Sequence, residues 1–332
     1  MMGNIRWGIL STANIALTQV LPAIQRSENG KVLAIASESG KAKKAAEEYN
    51  IPKAYDSYEA LLRDPEIDAV YIPLPNHLHK KWVMEAARSG KHILCEKPAA
   101  LTHEETKEMI NTCGEHGVTF MEAFMYQFHP QHQRVREIIQ SGEIGDVKLM
   151  RSSFSFYLDD RETNIRVAKE KGGGSLYDVG CYSIHAIRNI LGAEPVEVSV
   201  QGVIDPERKV DLSAFGHLKF ENGIQASFDC SFDMAFRHEY EVVGTKGKIH
   251  VPRAFRTDVD GGEGLVIVQT EEGERTEQLY GDIYELQVSH FAQAILENKE
   301  PIYRVDNTLQ NMRVIDWCYQ SMEQKEPVAV VR

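Results

Sequence analysis

The chain has 332 residues, 42% apolar and 26% charged, an ordinary globular balance that excludes wholesale disorder and collagen-like repeats. At roughly 100–200 residues per domain it is long enough for two domains, each with a core that needs no disulfide or metal to fold. Thirty-seven basic against 49 acidic residues leave a net charge of −12, which argues against binding nucleic acid or an anionic membrane surface.

The N-terminus, Met1-Met2-Gly3-Asn4, lacks the basic segment and apolar run of a signal peptide. No stretch approaches the roughly 18 uninterrupted apolar residues of a membrane span. The first third then alternates. Ile5–Leu10 is a short apolar run, Ser11–Asn14 a polar turn, and Ile15–Gln25 has helical spacing. Strands are predicted at Val32–Ala36, Ala69–Ile72, His92–Leu94 and Val118–Met121, with helices at Lys41–Tyr49, His77–Arg88 and His103–His116. Unbroken apolar strands joined by helical crossovers imply a parallel, doubly wound sheet of the dinucleotide-binding kind.

After residue 122 the texture changes. One amphipathic helix covers Gln133–Gln140, and period-two segments follow at Val147–Phe156, Val196–Val203, Leu212–Phe220, Ile224–Phe232, Glu239–Val243 and Leu265–Thr270. Such alternation predicts antiparallel strands with one face on a core. Glu221-Asn222-Gly223 is a hairpin signal. Helices return at Ile184–Leu191, Ile283–Glu297 and Val305–Gln320. The expected class is α/β: a Rossmann parallel sheet over 1–122, then an α+β domain with a large, mostly antiparallel open sheet over 123–332. Five scattered cysteines without a Cys-x-x-Cys pair suggest neither a disulfide framework nor a zinc site, and a reduced cytoplasmic protein is expected.

Candidate chemistry sits at the carboxyl ends of the early strands. Ser11, Thr12, Ala13, Asn14 and Ile15 occupy the turn where a dinucleotide's pyrophosphate would meet a helix N-terminus, with small residues in place of two expected glycines. A polar turn with a Ser/Thr/Asn cap is the other reading. Ser37 and Glu38 end the second strand. An acidic residue there suits the ribose hydroxyls of NAD, whereas Ser37 with Lys41, Lys43 and Lys44 nearby suits the 2′-phosphate of NADP.

Pro73 and Pro75 turn the chain at the third strand's end, Asn76 is placed to cap the next helix, and His77 and His79 point in different directions, which disfavours a metal site. Cys95-Glu96-Lys97-Pro98 puts a lysine in the crevice, where partial desolvation favours proton loss or polarisation of a substrate oxygen; a plain charged turn is the alternative. Gly172-Gly173-Gly174 lets backbone approach something planar or anionic. Asp178 and Tyr182, four residues apart, would share one face if this segment is helical and suit proton transfer with a lysine; a helix N-terminus with Asp in its first turn and Tyr in the core is the alternative.

Together these segments, with Met121 through Pro130, Gly244-Thr245-Lys246-Gly247 and Tyr284-Glu285, resemble the glucose–fructose oxidoreductase/inositol dehydrogenase/MocA family, in particular its dihydrodiol and D-xylose dehydrogenase branch. The resemblance spans nearly the whole chain. It implies hydride transfer between a nicotinamide and a sugar, polyol or cyclic diol, with Lys97 as catalytic lysine, Tyr182 as acid/base and Asp178 orienting the substrate. It places Ser11 to Ile15, Ser37, Pro73, Asn76, His79, Glu96 and Arg166 at the cofactor, NAD(P); Glu38 and Lys97 are expected there too, and Ser37 with the nearby lysines favours NADP slightly over NAD. It also implies pairing of subunits through the open sheet, as a homodimer or higher homo-oligomer.

Gln127 and Ile165 stand where many relatives have Arg and Trp, so substrate and cofactor preference do not transfer, and Tyr182 in place of His separates the chain from the inositol dehydrogenase branch. An NAD-assisted glycoside hydrolase or lyase, and a non-catalytic sensor on the same fold, are the rival expectations.

Overall fold

The computed structural model describes residues 3–330, which divide into two compact units. The first takes the chain up to Phe124 together with Tyr284–Met312; the second takes Met125–Ile283 and the chain from Arg313 onward. Residues 284–312, expected with the second half, therefore group with the first unit.

The first unit is built on β1 (Ile5–Leu10), β2 (Gly30–Ala36), β3 (Lys53–Tyr55), β4 (Ala69–Ile72), β5 (His92–Cys95) and β6 (Phe120–Glu122). They form one parallel sheet in the order β3-β2-β1-β4-β5-β6. The strand order reverses between β1 and β4, the switch point where such sheets open a crevice. The helices are α1 (Leu21–Arg26), α2 (Ala42–Glu48), α3 (Tyr58–Leu62), α4 (Asn76–Arg88) and α5 (His103–Glu115), with a π-helical turn over Ala16–Val20 ahead of α1. The apolar runs read as buried strands are mostly buried, Ala69–Ile72 at every residue, while Val32, Leu33 and Val118 are half-buried. Residues from far downstream complete this core: Phe291 packs on the fully buried Trp7 with ring centroids 5.6 Å apart, and Tyr303 meets Phe124 at 5.9 Å. Two small elements escape the sequence reading: β3, Lys53–Tyr55, is no apolar run, and the five residues of α3 are too few to display a helical period.

The second unit carries α6 (Pro130–Ser141), β7 (Val147–Tyr157), α7 (Cys181–Leu191), β8 (Pro195–Ile204), β9 (Asp211–Phe220), β10 (Gln225–Ser231), β11 (Asp233–Gly244), β12 (Gly247–Val251), β13 (Glu263–Thr270), β14 (Gly273–Tyr280) and β15 (Val328–Ala329). Its sheet runs β14-β13-β12-β11-β7-β10-β9-β8-β15. All pairs are antiparallel except β7 with β10. Met150, Ser152 and Phe154 of β7 point to the side covered by α7. The opposite face carries Arg151, the ion pairs Arg237–Asp229 and Lys248–Glu241, and exposed Phe215 and Val203. The alternation thus reports one covered and one open face. Glu221-Asn222-Gly223 turns β9 into β10, with Gly223 at φ +83°.

The last helices are α8 (Ile283–Leu296) and α9 (Val305–Gln324), and α9 passes from the first unit into the second at Met312/Arg313. Among the described residues no helix is long and apolar enough to cross a membrane.

Candidate active site

In the first unit the β1–helix turn has the backbone shape that the glycine pattern serves. Ser11 takes φ +146°, a region costly for any residue with a Cβ, and its Oγ accepts the Ala13 N–H at 3.0 Å. Asn14 is exposed and Ile15 partly so, and the helix starts there with no side-chain cap. Ser11 Oγ thus takes an N–H just ahead of the helix, which begins at Asn14, and the helix N-terminus beyond it suits an anion. Thr12 Oγ1 lies 3.5 Å from Ser37 Oγ, which is itself 2.9 Å from Ser39 Oγ, so the turn and the end of β2 meet. Ser37 is buried, whereas Glu38 and the three lysines at 41, 43 and 44 are exposed.

The β4 edge corrects one expectation. Asn76 is the first residue of α4, and Pro75 holds the cap position without a side-chain acceptor. Pro73 is buried, and His79 is fully buried between two carbonyls, Leu74 O at 2.7 Å from Nε2 and Pro98 O at 2.9 Å from Nδ1. Burial pushes its imidazole down to about 4, against the pull of those carbonyls, so the ring is neutral at pH 7. His79 ties the turn after β4 to the turn after β5. His77, two residues earlier, is exposed.

Glu96 accepts the Tyr71 hydroxyl at 2.6 Å, and its own N–H continues the β4 ladder to Ile72 O at 3.1 Å. Lys97 is half-buried, and the Lys97–Pro98 peptide is cis. The fully buried Glu122 accepts Ala99 N–H at 2.8 Å and the Tyr303 hydroxyl at 3.0 Å, holding the segment just past Pro98. Sequence reasoning missed this role. The available signal was an acidic residue closing an apolar strand.

In the second unit the Asp178–Tyr182 segment begins earlier than expected, as a π-helical turn over Leu176–Gly180 that runs into α7. Arg166 Nε donates to Asp178 Oδ2 at 2.7 Å. The Asp178 charge first, and Tyr182 among lesser contributions, raises the guanidinium above its ordinary range, so the three side chains form one electrostatic group. Tyr182 is buried against Phe154, Phe255 and Tyr126, with centroids 5.3, 5.6 and 5.8 Å away, and its hydroxyl reaches Met125 Sδ at 3.4 Å. The surrounding rings hold the Tyr182 phenol in one orientation.

The triple glycine closes on the chain itself. A Cβ at Gly173 would lie 2.6 Å from Arg166 O and 2.9 Å from Ala168 N, and one at Gly174 2.3 Å from Asp211 Oδ1. The anionic neighbour anticipated for these glycines includes a carboxylate of the protein, Asp211, which the sequence reading had not singled out.

Comparison with known proteins agrees with this geometry. Residues 5–124 match the oxidoreductase family with an NAD-binding Rossmann fold, and residues 132–250 match the GFO/IDH/MocA C-terminal domain. The chain is 39% identical to D-xylose 1-dehydrogenase (NADP(+)) 2 of Haloferax volcanii over 96% of this chain and 97% of that protein. It is 35% identical to trans-1,2-dihydrobenzene-1,2-diol dehydrogenase of Mus musculus over 76% and 75%. A 3-ketoreductase from Actinomadura kijaniata, solved with NADP and TDP-benzene, superposes with a TM-score of 0.90 at 29% identity, covering 96% of this chain and 98% of its own. On this evidence the chain belongs to the GFO/IDH/MocA family of oxidoreductases.

Proposed function

We propose that the protein is an NAD(P)-dependent dehydrogenase that moves a hydride between a nicotinamide and a CH–OH carbon of a sugar, polyol or cyclic diol. The observation that carries this reading is the Tyr182–Asp178–Arg166 group: a caged phenol beside an ion-paired carboxylate, suited to moving a proton at a substrate hydroxyl. The first unit's residues fit a dinucleotide, because the β1 turn keeps glycine-like backbone at Ser11 and leads directly into a helix N-terminus. When bound, the nicotinamide supplies or accepts the hydride.

The proposed roles are those the family resemblance implies. Ser11, Thr12, Ala13, Asn14 and Ile15 hold the pyrophosphate, and Ser37 with Glu38 borders the adenosine ribose. Pro73, Asn76, Glu96, Lys97 and Arg166 border the rest of the cofactor, while His79 contributes by bracing their turns. Lys97 polarises the substrate oxygen, Tyr182 takes or gives its proton, and Asp178 orients the substrate. Incubation with NADP and a sugar and diol panel tests the activity, read as net NADPH formation. Net reduction excludes the rival sensor and borrowed-hydride readings; its absence across the panel overturns the proposal.

NADP is the proposed cofactor, supported by buried Ser37, outward Glu38 and the three exposed lysines. NADPH is expected to bind more tightly than NADH in fluorescence titration. Glu38→Arg should widen the gap about tenfold or more, the weight of one charge-assisted hydrogen bond of ~1.5–3 kcal/mol. Tighter NADH binding by the unmodified protein would reverse this assignment.

The open sheet face is proposed to pair two copies. Phe215, 42% exposed amid that face's ion pairs, is the apolar centre expected of such a contact. Sedimentation should give twice the chain mass, and a monomer at micromolar concentration would refute it.

A further inference from the structure

The segment bearing Asp178 and Tyr182 starts with a problem common to helices: its first N–H groups have no partner inside the helix. Ser175, at the cap position, makes no side-chain bond to this turn. Instead the Ser175 hydroxyl and the Leu176 N–H both donate to one oxygen of Asp211, at 2.8 and 2.6 Å. The Tyr319 hydroxyl, from α9, donates to the other oxygen at 3.1 Å. Asp211 is the first residue of β9 and is 2% exposed. The cap of this turn is thus lent by a strand some 35 residues downstream (211 minus 176).

Several neighbours are shaped around that carboxylate. Gly174 sits at φ +134°, and any Cβ there would strike Asp211 Oδ1 and come within 2.9 Å of the Tyr319 hydroxyl. Gly180, at the other end of the turn, lies against β10, where a Cβ would be 2.8 Å from Cys230 Sγ. The Tyr177 ring packs on Tyr319 at 4.6 Å. All three partners named above are donors, which suits an ionised carboxylate, while burial pushes the carboxyl above its ordinary range. Burying a charge costs far more than burying an ordinary serine or asparagine cap.

We infer that Asp211 is a positioning residue for the active site, pinning the π-helical turn so that Asp178 and Tyr182 are presented in register. The inference rests on the proposed acid/base role of Tyr182. A π-helical turn holds one more residue than an α-turn, and such turns recur at functional sites. Released at its N-terminal end, it can rewind as α-helix, and each residue of slip turns a helix face by about 100°. Asp178 and Tyr182 lie two and six residues past the pinned Leu176 (178 − 176, 182 − 176), so a change in winding alters their mutual angle. Asp211 touches neither, and acts only through the turn.

The test compares Asp211→Ala, Asp211→Asn and Tyr319→Phe in the full-length protein, with kcat, KM and NADPH affinity measured together. Asp211→Ala is expected to lower kcat about 100-fold, with NADPH affinity and folded fraction within twofold of the parent. Asp211→Asn keeps one oxygen for Ser175 and Leu176 and should recover kcat to within about fivefold. Tyr319→Phe, which removes a single donor and leaves the turn's own two bonds, should cost three- to tenfold. A normal kcat in Asp211→Ala overturns the inference, as does a loss of kcat and NADPH binding in step with lost folded protein. If Asp211→Ala does not fold, Tyr319→Phe decides: unchanged kcat with a folded protein overturns the inference. Tyr182→Phe, run alongside, separates the two levels. Retained turnover there defeats the acid/base reading, whereas abolished turnover with an indifferent Asp211 defeats only the positioning role.

Discussion

Tyr182→Phe is expected to lower turnover by ~10²–10⁴-fold, the usual span for losing a positioned acid or base. The substitution deletes one oxygen and keeps the ring, so the packing against Phe154, Phe255 and Tyr126 survives and the fold should be unaffected. NADPH affinity should barely change, because the hydroxyl is assigned to the substrate. Lys97→Met keeps a chain of similar length without the charge; it should cost a similar factor in turnover and also weaken cofactor binding. The double variant should lose much less than the product of the two single losses, since groups acting as one proton-transfer unit are non-additive. Steady-state kinetics on the best substrate of the panel, with cofactor titrations in parallel, measure all of this. Undiminished turnover in either single variant removes that residue from the mechanism.

The second large effect is acid unfolding well above the carboxylate range. His79 and His238 are held neutral by burial, each pushed down to about 4. His238 Nδ1 accepts the N–H groups of Phe255 and Arg256, both at 3.3 Å, bonds that a protonated ring would lose. His132 and His185 lie further below the ordinary range for the same reason. Between pH 6.5 and 4 the unfolded chain binds protons that the folded chain refuses, so stability is full above about pH 6.5 and falls as the pH drops. His79 and His238 each account for roughly 3 kcal/mol over that window. Asp64, lowered to about 2 chiefly by Lys53 against its own burial, adds its loss only below about pH 4. Asp211, raised by burial, works in the opposite direction. Urea midpoints should drop steeply from pH 7 to pH 5, and His238→Asn should flatten the slope. A level profile across that range would show these imidazoles free to protonate in the folded state.

Much of this architecture is legible in the residues, and the exceptions have physical causes. Five of the six strands of the first sheet announce themselves as apolar runs, and the hairpin at Asn222-Gly223 by its turn chemistry. By contrast, β14 is an edge strand with nearly every side chain in solvent, so it carries no alternation to read. The Asp178–Tyr182 spacing suggested a shared helix face, but a π-helical turn does not differ from an α-turn in composition. Asp211 lies one residue ahead of the predicted Leu212–Phe220 segment, and nothing in the sequence singles it out. Its importance lies in whose N–H it receives, a contact made over a long stretch of chain that local pattern cannot show. Asn76 has the chemistry of a cap yet sits one residue too late, after Pro75 has already set the helix entry.

The return of residues 284–312 to the first unit sets a timetable for synthesis. Trp7 emerges from the ribosome with the first strand, but its partner Phe291 follows 284 residues later (291 minus 7). At roughly 5–20 residues per second that is a delay of some tens of seconds. Over that interval the nascent parallel sheet lacks the aromatic cover for Trp7 and Phe124, and Glu122 lacks its tyrosine donor. Eight of the second unit's nine strands are translated before the first unit can close, so the half of the protein begun first waits on most of the other. A message truncated after Phe124 encodes every strand of the nucleotide fold and still yields a sheet with exposed core, a natural client for chaperones rather than a free-standing domain.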